Sequence, residues 1–301
     1  MHDLVRQGSL WRRPDQPTHD RRPRMVKTHD TNSAESASTD LLCESLGMTY
    51  RTADGREVEA LQDINLDFSK NQLVSFVGPS GCGKTTLLNM IAGFIKPTTG
   101  RVLLNGAEIE GPGQDRGMVF QTGALFEWLT VYENVAFGLK INNVPAKECQ
   151  DRVYEYLDFV GLKNFSNAPI YNLSGGMRQR VAIIRCLVNN PTIMLMDEPL
   201  GALDALTREK MQSLIIKLWL ETNKLCVFIT HSVEEAVYVS SELIVLSSRP
   251  GKIVKHYHLP FSTRDYDKPT REVKSSKEFI EVREEILQII WAMEEETLAH
   301  G

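Results

Sequence analysis

One short motif constrains the fold of this chain more than any other feature. Residues 78–85 read Gly-Pro-Ser-Gly-Cys-Gly-Lys-Thr and match the pattern G-x-x-x-x-G-K-[ST]. The motif follows an apolar run over 73–77 that is typical of a buried strand, and it precedes apolar residues at helical spacing from Leu87 to Ile95. A strand, a glycine-rich loop and a helix in this order present backbone N–H groups to phosphate oxygens.

Each position of this loop has an expected part in phosphate binding. Lys84 is expected to reach the β- and γ-phosphates, and Thr85 to offer its hydroxyl to Mg²⁺. Cys82 lies near the start of the helix, where a thiol can become reactive, so one hypothesis is that its alkylation blocks nucleotide binding; the alternative is a small residue in a permissive position. The residues predicted to contact nucleotide here are Gly78, Pro79, Ser80, Gly81, Cys82, Gly83, Lys84, Thr85 and Thr86.

The rest of the chain repeats an alternation of strand and helix patterns. Asn105-Gly106 separates two short runs, which predicts a hairpin because both residues tolerate the positive φ of a type I′ turn. Alternating strand and helix patterns predict an α/β core with parallel strands. The predicted strands are 64–68, 73–77, 101–104, 107–109, 117–120, 193–196, 225–229 and 243–246.

Composition divides the chain into three parts. Residues 1–40 have few large apolar side chains and are expected to form a flexible N-terminal tail, whereas the main domain is expected over 41–262, with order beginning near Leu46. From about 122 to 190 the strand signal lapses, which predicts an inserted helical subdomain with helices over 131–139 and 147–160. The extension 263–301 is expected to end in an amphipathic helix over 276–297 that packs on the same chain.

Charge and hydropathy exclude two classes of function. The formal net charge of −5 gives no overall positive field, so nucleic acid is not expected as a partner. No apolar run approaches the roughly 18 to 20 residues that a transmembrane helix needs. The five cysteines are scattered and odd in number, which favours a reduced, cytosolic compartment.

Two acidic residues end one of the predicted strands. Asp197 and Glu198 directly follow the apolar run 193–196, at the carboxyl end where ligands bind in open α/β sheets. If this strand is a neighbour of the one before the phosphate loop, Asp197 would hold Mg²⁺ and Glu198 could deprotonate an attacking water. The alternative is a pair of helix-capping acids.

A second helix start has the features of an anion site. Ser174 is a typical N-cap residue, and Gly175 and Gly176 follow it before the helical stretch that begins with Met177. The chain therefore has two candidate phosphate-binding helix ends. With both phosphate motifs, residues 173–180 resemble the signature sequence of the ATPase subunit of ATP-binding cassette (ABC) transporters. The resemblance covers about 46–259.

This resemblance implies a nucleotide-binding cassette. The fold class is then α/β, a P-loop NTPase core of the ABC type with an antiparallel β subdomain and an inserted helical subdomain. The cofactors are ATP and Mg²⁺. By the same resemblance Gln121 corresponds to the glutamine that touches Mg²⁺ and water, Asp204 to a loop that crosses the dimer interface, His231 to the switch histidine at the γ-phosphate, and Tyr50 to the aromatic residue that stacks on adenine.

The sequence departs from the family pattern at two places. Met177 stands where the signature most often has glutamine, and Ser232 follows the switch histidine where aspartate is common. Because Ser174 and both glycines are retained, function is expected to be intact.

The family resemblance also implies partners and a place in the cell. Two copies would sandwich two ATP molecules, because two positive helix ends clamp one triphosphate only when they face each other. A membrane permease and a substrate-binding protein would complete an importer, with this chain peripheral on the cytoplasmic face of the inner or plasma membrane. Segments 211–219, 246–251 and 279–284 are similar to taurine importer ATPases. Nitrate and other sulfonate importers share the signature with methionine, and a cassette protein acting on ribosomes or DNA is the alternative from another class.

Overall fold

The structure is a computed structural model that describes residues 41–69, 71–121 and 124–300. The tail predicted over 1–40 lies outside these residues. In chain order the strands are β1 (Leu41–Arg51), β2 (Glu57–Phe68), β3 (Leu73–Val77), β4 (Thr99–Leu104), β5 (Ala107–Glu108), β6 (Arg116–Val119), β7 (Ile193–Asp197), β8 (Leu225–Ile229), β9 (Glu242–Leu246) and β10 (Ile253–His258). The helices are α1 (Lys84–Ala92), α2 (Val131–Ile141), α3 (Ala146–Phe159), α4 (Gly175–Leu187), α5 (Ala205–Thr222), α6 (Val233–Val239), α7 (Phe261–Arg264), α8 (Thr270–Lys274) and α9 (Lys277–His300).

A mainly parallel sheet forms the centre of the described chain. Its strand order is β10-β9-β3-β8-β7-β6, with β6, β7, β8, β3 and β9 parallel and β10 antiparallel at one edge. Every residue of β3, β8 and β9 is buried, as expected for strands covered on both faces. The predicted α/β core with parallel strands is confirmed.

An antiparallel sheet of order β2-β1-β4-β5 lies beside this core. The predicted turn joins β4 to β5, with φ of 53° at Asn105 and 77° at Gly106, as a type I′ turn requires. Strand β1 begins at Leu41 rather than near Leu46, and it pairs with both β2 and β4. The sequence pattern did not predict this strand, because register shifts after Cys43 and Leu46 break the alternation of buried and exposed residues.

The stretch between β6 and β7 is helical, as expected. Thr130 and Glu133 form a capping box at the start of α2, and α2, α3 and α4 surround a cluster of buried apolar side chains that is separate from the one between the two sheets. Two single turns of 3₁₀ helix, Lys163–Phe165 and Ile170–Asn172, precede α4.

The C-terminal extension packs against the parallel core. Phe279 and Ile286, on the predicted apolar face of α9, are fully buried, and the helix packs against α6. Strand β10, which the sequence analysis did not predict, pairs with β9 before this extension begins. Among the described helices, none is both long enough and apolar enough to cross a membrane.

Candidate nucleotide site

Four predicted site segments follow parallel strands at the same edge of the sheet. Strand β3 leads into the phosphate loop, β8 into His231, β7 into Glu198 and β6 into Gln121. Strands β3 and β7 are not neighbours, because β8 lies between them. The order of the strands therefore inserts the histidine between the phosphate loop and the acidic pair.

The phosphate loop wraps around the amino end of α1. Gly83 is the N-cap residue, with a φ of 96° that glycine adopts without strain, and no side chain caps the helix. The first N–H groups of an α-helix have no partner within the helix. They are therefore directed to the space that a phosphate would occupy.

Lys84 is buried and turned into this loop. Its Nζ donates to the carbonyl oxygens of Gly78 at 2.8 Å and Pro79 at 3.1 Å, and contacts the Sγ of Cys82 at 3.4 Å. A strongly hydrated ammonium is costly to bury without such partners. The loop thus holds a positive charge at the place where a phosphate would bind.

Thr85 and Asp197 form the part of the site best suited to a cation. Burial, together with the neighbouring Glu198 carboxylate, raises the pKa of Asp197, and the nearby Thr85 hydroxyl opposes this shift. A hydroxyl, a half-buried carboxylate and the nearby amide of Gln121 are oxygen donors of the kind that Mg²⁺ prefers. A bound cation would also offset the repulsion between the two carboxylates, so the residues fit the metal.

Glu198 is held between two polar side chains from neighbouring strands. Its Oε2 accepts a hydrogen bond from Gln121 Nε2 at 3.1 Å, and its Oε1 contacts His231 Nε2. Its backbone N–H donates to Ile229 O at 2.9 Å, and its φ of 45° lies in the left-handed region. Such a backbone conformation is sparsely populated in residues other than glycine, and in folded proteins it concentrates at functional sites.

Two further side chains lie beside the loop. Tyr50, near the end of β1, shares a 3.3 Å hydrogen bond with Thr86 through its hydroxyl, and 41% of the residue is exposed, which leaves ring surface for a ligand. The exposed Arg249 lies over the loop, with Nη2 3.2 Å from the position that a Cβ would take on Gly81. Sequence reasoning did not place Arg249 in the site, because it is distant in sequence and belongs to no motif.

The remaining predicted residues form a second group. Ser174 caps α4 by accepting from Met177 N at 3.3 Å, and Gly176 packs against Thr207. Asp204 caps α5, and the backbone hydrogen bond from Thr207 lowers the pKa of Asp204. Ser174 and Gly175 are exposed, so this helix end is accessible to another molecule.

Comparison with known proteins shows which family carries these two groups of site residues. The protein-family model described as "ABC transporter" matches residues 61–201. The taurine import ATP-binding protein TauB of Pelagibacter ubique (strain HTCC1062) is 55% identical over 86% of this chain and 98% of its own length. TauB of Jannaschia sp. (strain CCS1) is also 55% identical, over 86% of this chain and 97% of its own.

The chain belongs to the ABC transporter family. Solved ABC cassettes share its fold: the dimeric cassette MJ0796 bound to ADP and Pi matches with a TM-score of 0.63 and 34% identity over 73% of this chain and 98% of that one. The cassette cbiO1 of Clostridium perfringens, part of the ABC transporter complex cbiONQ, matches with a TM-score of 0.67 and 26% identity over 85% of this chain and 99% of that one. The predicted family, ABC fold and ATPase class are confirmed.

The two departures from the ABC pattern have simple structural explanations. Met177 is half-buried and packs against the apolar cluster of the helical part. Ser232 caps α6, accepting from Glu235 N at 3.2 Å, a role that serine and aspartate perform about equally.

A buried polar network holds the segment before His231 in this ABC cassette. Thr230 Oγ1 donates to the buried carboxylate of Glu235, whose other oxygen accepts from Gln212 Nε2 at 3.1 Å. Lys274, in the C-terminal extension, donates to Gln212 Oε1 at 3.1 Å. The extension is therefore connected by hydrogen bonds to the strand end that carries His231.

The structure argues against ready alkylation of Cys82. Its side chain is fully buried, and its sulfur contacts the Lys84 ammonium inside the loop. A maleimide could reach this thiol only after the loop opens.

Proposed function

We propose that this chain hydrolyses ATP to drive import of taurine or a related sulfonate. The observation that carries the proposal is the convergence of Lys84, Thr85, Asp197, Glu198 and His231 at one sheet edge. The substrate class comes from relatives at 55% identity that are named taurine import ATP-binding proteins. Nitrate and other sulfonate importers share the signature with Met177, so nitrate and other small anions belong in the test.

In this proposal the phosphate loop and Lys84 bind the β- and γ-phosphates of ATP. The triphosphate oxygens take over the Nζ–H donors that now point to Gly78 O and Pro79 O, while the N–H groups at the start of α1 complete the cradle. Tyr50 stacks on the adenine from its position beside Thr86.

Thr85, Asp197 and Gln121 would hold Mg²⁺. When bound, the ion supplies positive charge to the phosphate oxygens as negative charge develops there. The Gln121 amide nitrogen already donates to Glu198, which leaves its oxygen available.

Glu198 acts as the general base. Its carboxylate accepts a proton from the water that attacks the γ-phosphorus, and Gln121 keeps one carboxylate oxygen in place by its hydrogen bond. His231 donates a hydrogen bond to the γ-phosphate once nucleotide displaces it from Glu198. The oxygen bridging the β- and γ-phosphates leaves with ADP, and the water oxygen is retained in inorganic phosphate.

A second copy of the chain would complete the site. Ser174 and Gly175 are exposed at the start of α4, and with the buried Gly176 they form a helix end that can grip the γ-phosphate of ATP bound to the facing copy. Asp204 holds the loop between the two copies by capping α5. The dimeric state of the cassette MJ0796 bound to ADP and Pi supports this arrangement.

The second proposed partner is an integral membrane permease. A substrate-binding protein would join through the assembled complex. Phe94 and Phe120 stack with ring centroids 6.2 Å apart and are 47% and 38% exposed, and Phe120 directly precedes Gln121 in the chain. A permease segment docked on these rings would sense Gln121 and, through it, Glu198. The chain would then lie peripherally on the cytoplasmic face of the inner or plasma membrane.

Uptake of labelled taurine by cells that lack the gene tests the proposal. Complementation with the wild-type gene should restore uptake, and the Glu198→Gln variant should not. Parallel assays with another sulfonate and with nitrate decide the substrate class. Restoration of nitrate uptake without taurine uptake would refute the taurine assignment and leave the ATPase assignment intact.

A further inference from the structure

A cluster of two histidines and a glutamate lies on strands β9 and β10, outside the nucleotide site. We call Glu242, His256 and His258 the histidine–glutamate triad. His256 and His258 are two residues apart and therefore share one face of β10. Glu242 is the first residue of β9 and is paired with His258.

The three side chains already converge on one point. Glu242 Oε2 is 2.8 Å from His256 Nε2 and 2.7 Å from His258 Nδ1. One ligand atom from each residue lies within 4.8 Å of the others. Because neighbouring ligands of a metal with bonds of about 2.0–2.2 Å lie about 3 Å apart, only small side-chain movements would be needed to admit an ion.

The surroundings hold the triad in this geometry. The Glu242 side chain is only 9% exposed, whereas those of His256 and His258 are 41% and 81% exposed, so solvent reaches the cluster from the histidine side. Gln72 Nε2 approaches the second carboxylate oxygen of Glu242 at 3.4 Å, and the ring of Phe68 meets the His256 ring edge-to-face at 6.2 Å. Supporting contacts of this kind orient metal ligands.

We propose that the histidine–glutamate triad binds a divalent transition-metal ion, with Zn²⁺ as the best match. Two imidazole nitrogens and one carboxylate oxygen are a donor set that suits Zn²⁺, and water would fill the remaining position. Mg²⁺ is a poor match because it prefers oxygen ligands in an octahedron. Metal binding would replace the two contacts that Glu242 Oε2 now makes with the imidazole nitrogens.

The proposed metal is structural and separate from ATP hydrolysis. Glu242 begins β9, at the amino end of the parallel strands, and the phosphate loop follows their carboxyl end. The ion would link edge strand β10, whose one strand partner among the described residues is β9, to the core of the sheet. It would therefore stabilise the folded chain without entering the nucleotide site.

Zinc titration of the full chain tests the proposal. Calorimetry with ZnCl₂ is carried out without nucleotide on the wild type, on His256→Gln/His258→Gln and on the control Lys255→Gln, so that any zinc bound near Glu198 and His231 is the same in all three proteins. Lys255 is the control because it lies on the same strand as the two histidines and contacts Glu285 of α9. Wild type and control should bind about one Zn²⁺ per chain more than the double variant, and Zn²⁺ should raise their melting temperatures further.

Cobalt gives a second readout that does not depend on stability. Co²⁺ bound by the triad should produce visible absorption in the wild type that the double variant lacks and that Zn²⁺ abolishes, while ATPase activity without added Zn²⁺ stays equal in the two proteins. Equal zinc stoichiometry and affinity in wild type and double variant would refute the site. So would a cobalt spectrum that the double variant retains.

Discussion

Replacement of Glu198 by glutamine isolates the proposed general base with the least change to the rest of the site. The two side chains have the same shape, so the contacts in the structure can be kept. The glutamine oxygen can accept from Gln121 Nε2, which now donates to Glu198 over 3.1 Å, and the glutamine amide can donate to His231 Nε2. What the variant loses is a carboxylate able to accept a proton.

The expected loss of turnover follows from this difference. General-base catalysis contributes about 10²- to 10⁴-fold to a rate, so hydrolysis by Glu198→Gln should fall by that factor. ATP affinity should change little, because the phosphate loop and Lys84 are untouched. With binding intact and hydrolysis slow, ATP should accumulate in the two-copy state.

Three measurements on the same protein test this reasoning. Phosphate release gives the rate, a nucleotide titration gives the affinity, and light scattering with and without ATP gives the oligomeric state. Glu221→Gln, at an exposed position of α5, is the matched control and should behave as the wild type. Near-normal turnover of Glu198→Gln with unchanged ATP affinity would refute the assignment of the base.

Four further predictions follow from contacts in the site. Lys84→Ala removes charge-assisted donors worth about 1.5–3 kcal/mol, so ATP affinity should fall about 10- to 100-fold, and an unchanged titration would contradict its phosphate role. Burial raises the pKa of Asp197, so above that pKa the ionised carboxyl opposes folding. Asp197→Asn should therefore raise the melting temperature of the nucleotide-free protein and abolish stabilisation by Mg²⁺ with ATP. A lower melting temperature of the variant would refute this reasoning. A Cβ on Gly251 would lie 2.0 Å from the carbonyl oxygen of Cys82. Gly251→Ala should therefore lower the free energy of unfolding, measured with denaturant, by about 1–3 kcal/mol and weaken ATP binding. Wild-type stability of this variant would show that the phosphate loop moves without cost. Cys82 is buried, so a maleimide should label the native protein slowly and the urea-unfolded chain rapidly, whereas equal rates would show an open loop.

Local features of the fold were the most predictable from sequence. The helix after Gly83 and the hairpin at Asn105-Gly106 depend on neighbouring residues and on the backbone freedom of glycine and asparagine. Strand β1 was not among the predicted strands, because its bulges remove the period-two pattern. Strand β10 was missed because its residues Lys255, His256 and His258 are polar, as suits an edge strand.

In the candidate site, too, the residues within local motifs were predictable and the contacts between distant residues were not. The motifs identified Lys84, Asp197 and Glu198 as candidates, because each lies beside a short pattern with a known chemical requirement. No sequence pattern predicted that Arg249 lies over Gly81 or that Tyr50 is hydrogen-bonded to Thr86. These contacts join residues that are far apart in the chain, and a local pattern contains no information on such pairings.

By itself, the sequence determined the phosphate-binding chemistry of this chain and the class of its fold, because a glycine loop between strand and helix needs only short-range backbone preferences. Tertiary structure decided the strand order, which inserts β8 between β3 and β7 and brings His231 against Glu198. It also decided that Glu242 meets His256 and His258 across two strands. Strand order and cross-strand contacts result from packing the whole apolar core, and that packing is a property of the complete chain rather than of any segment.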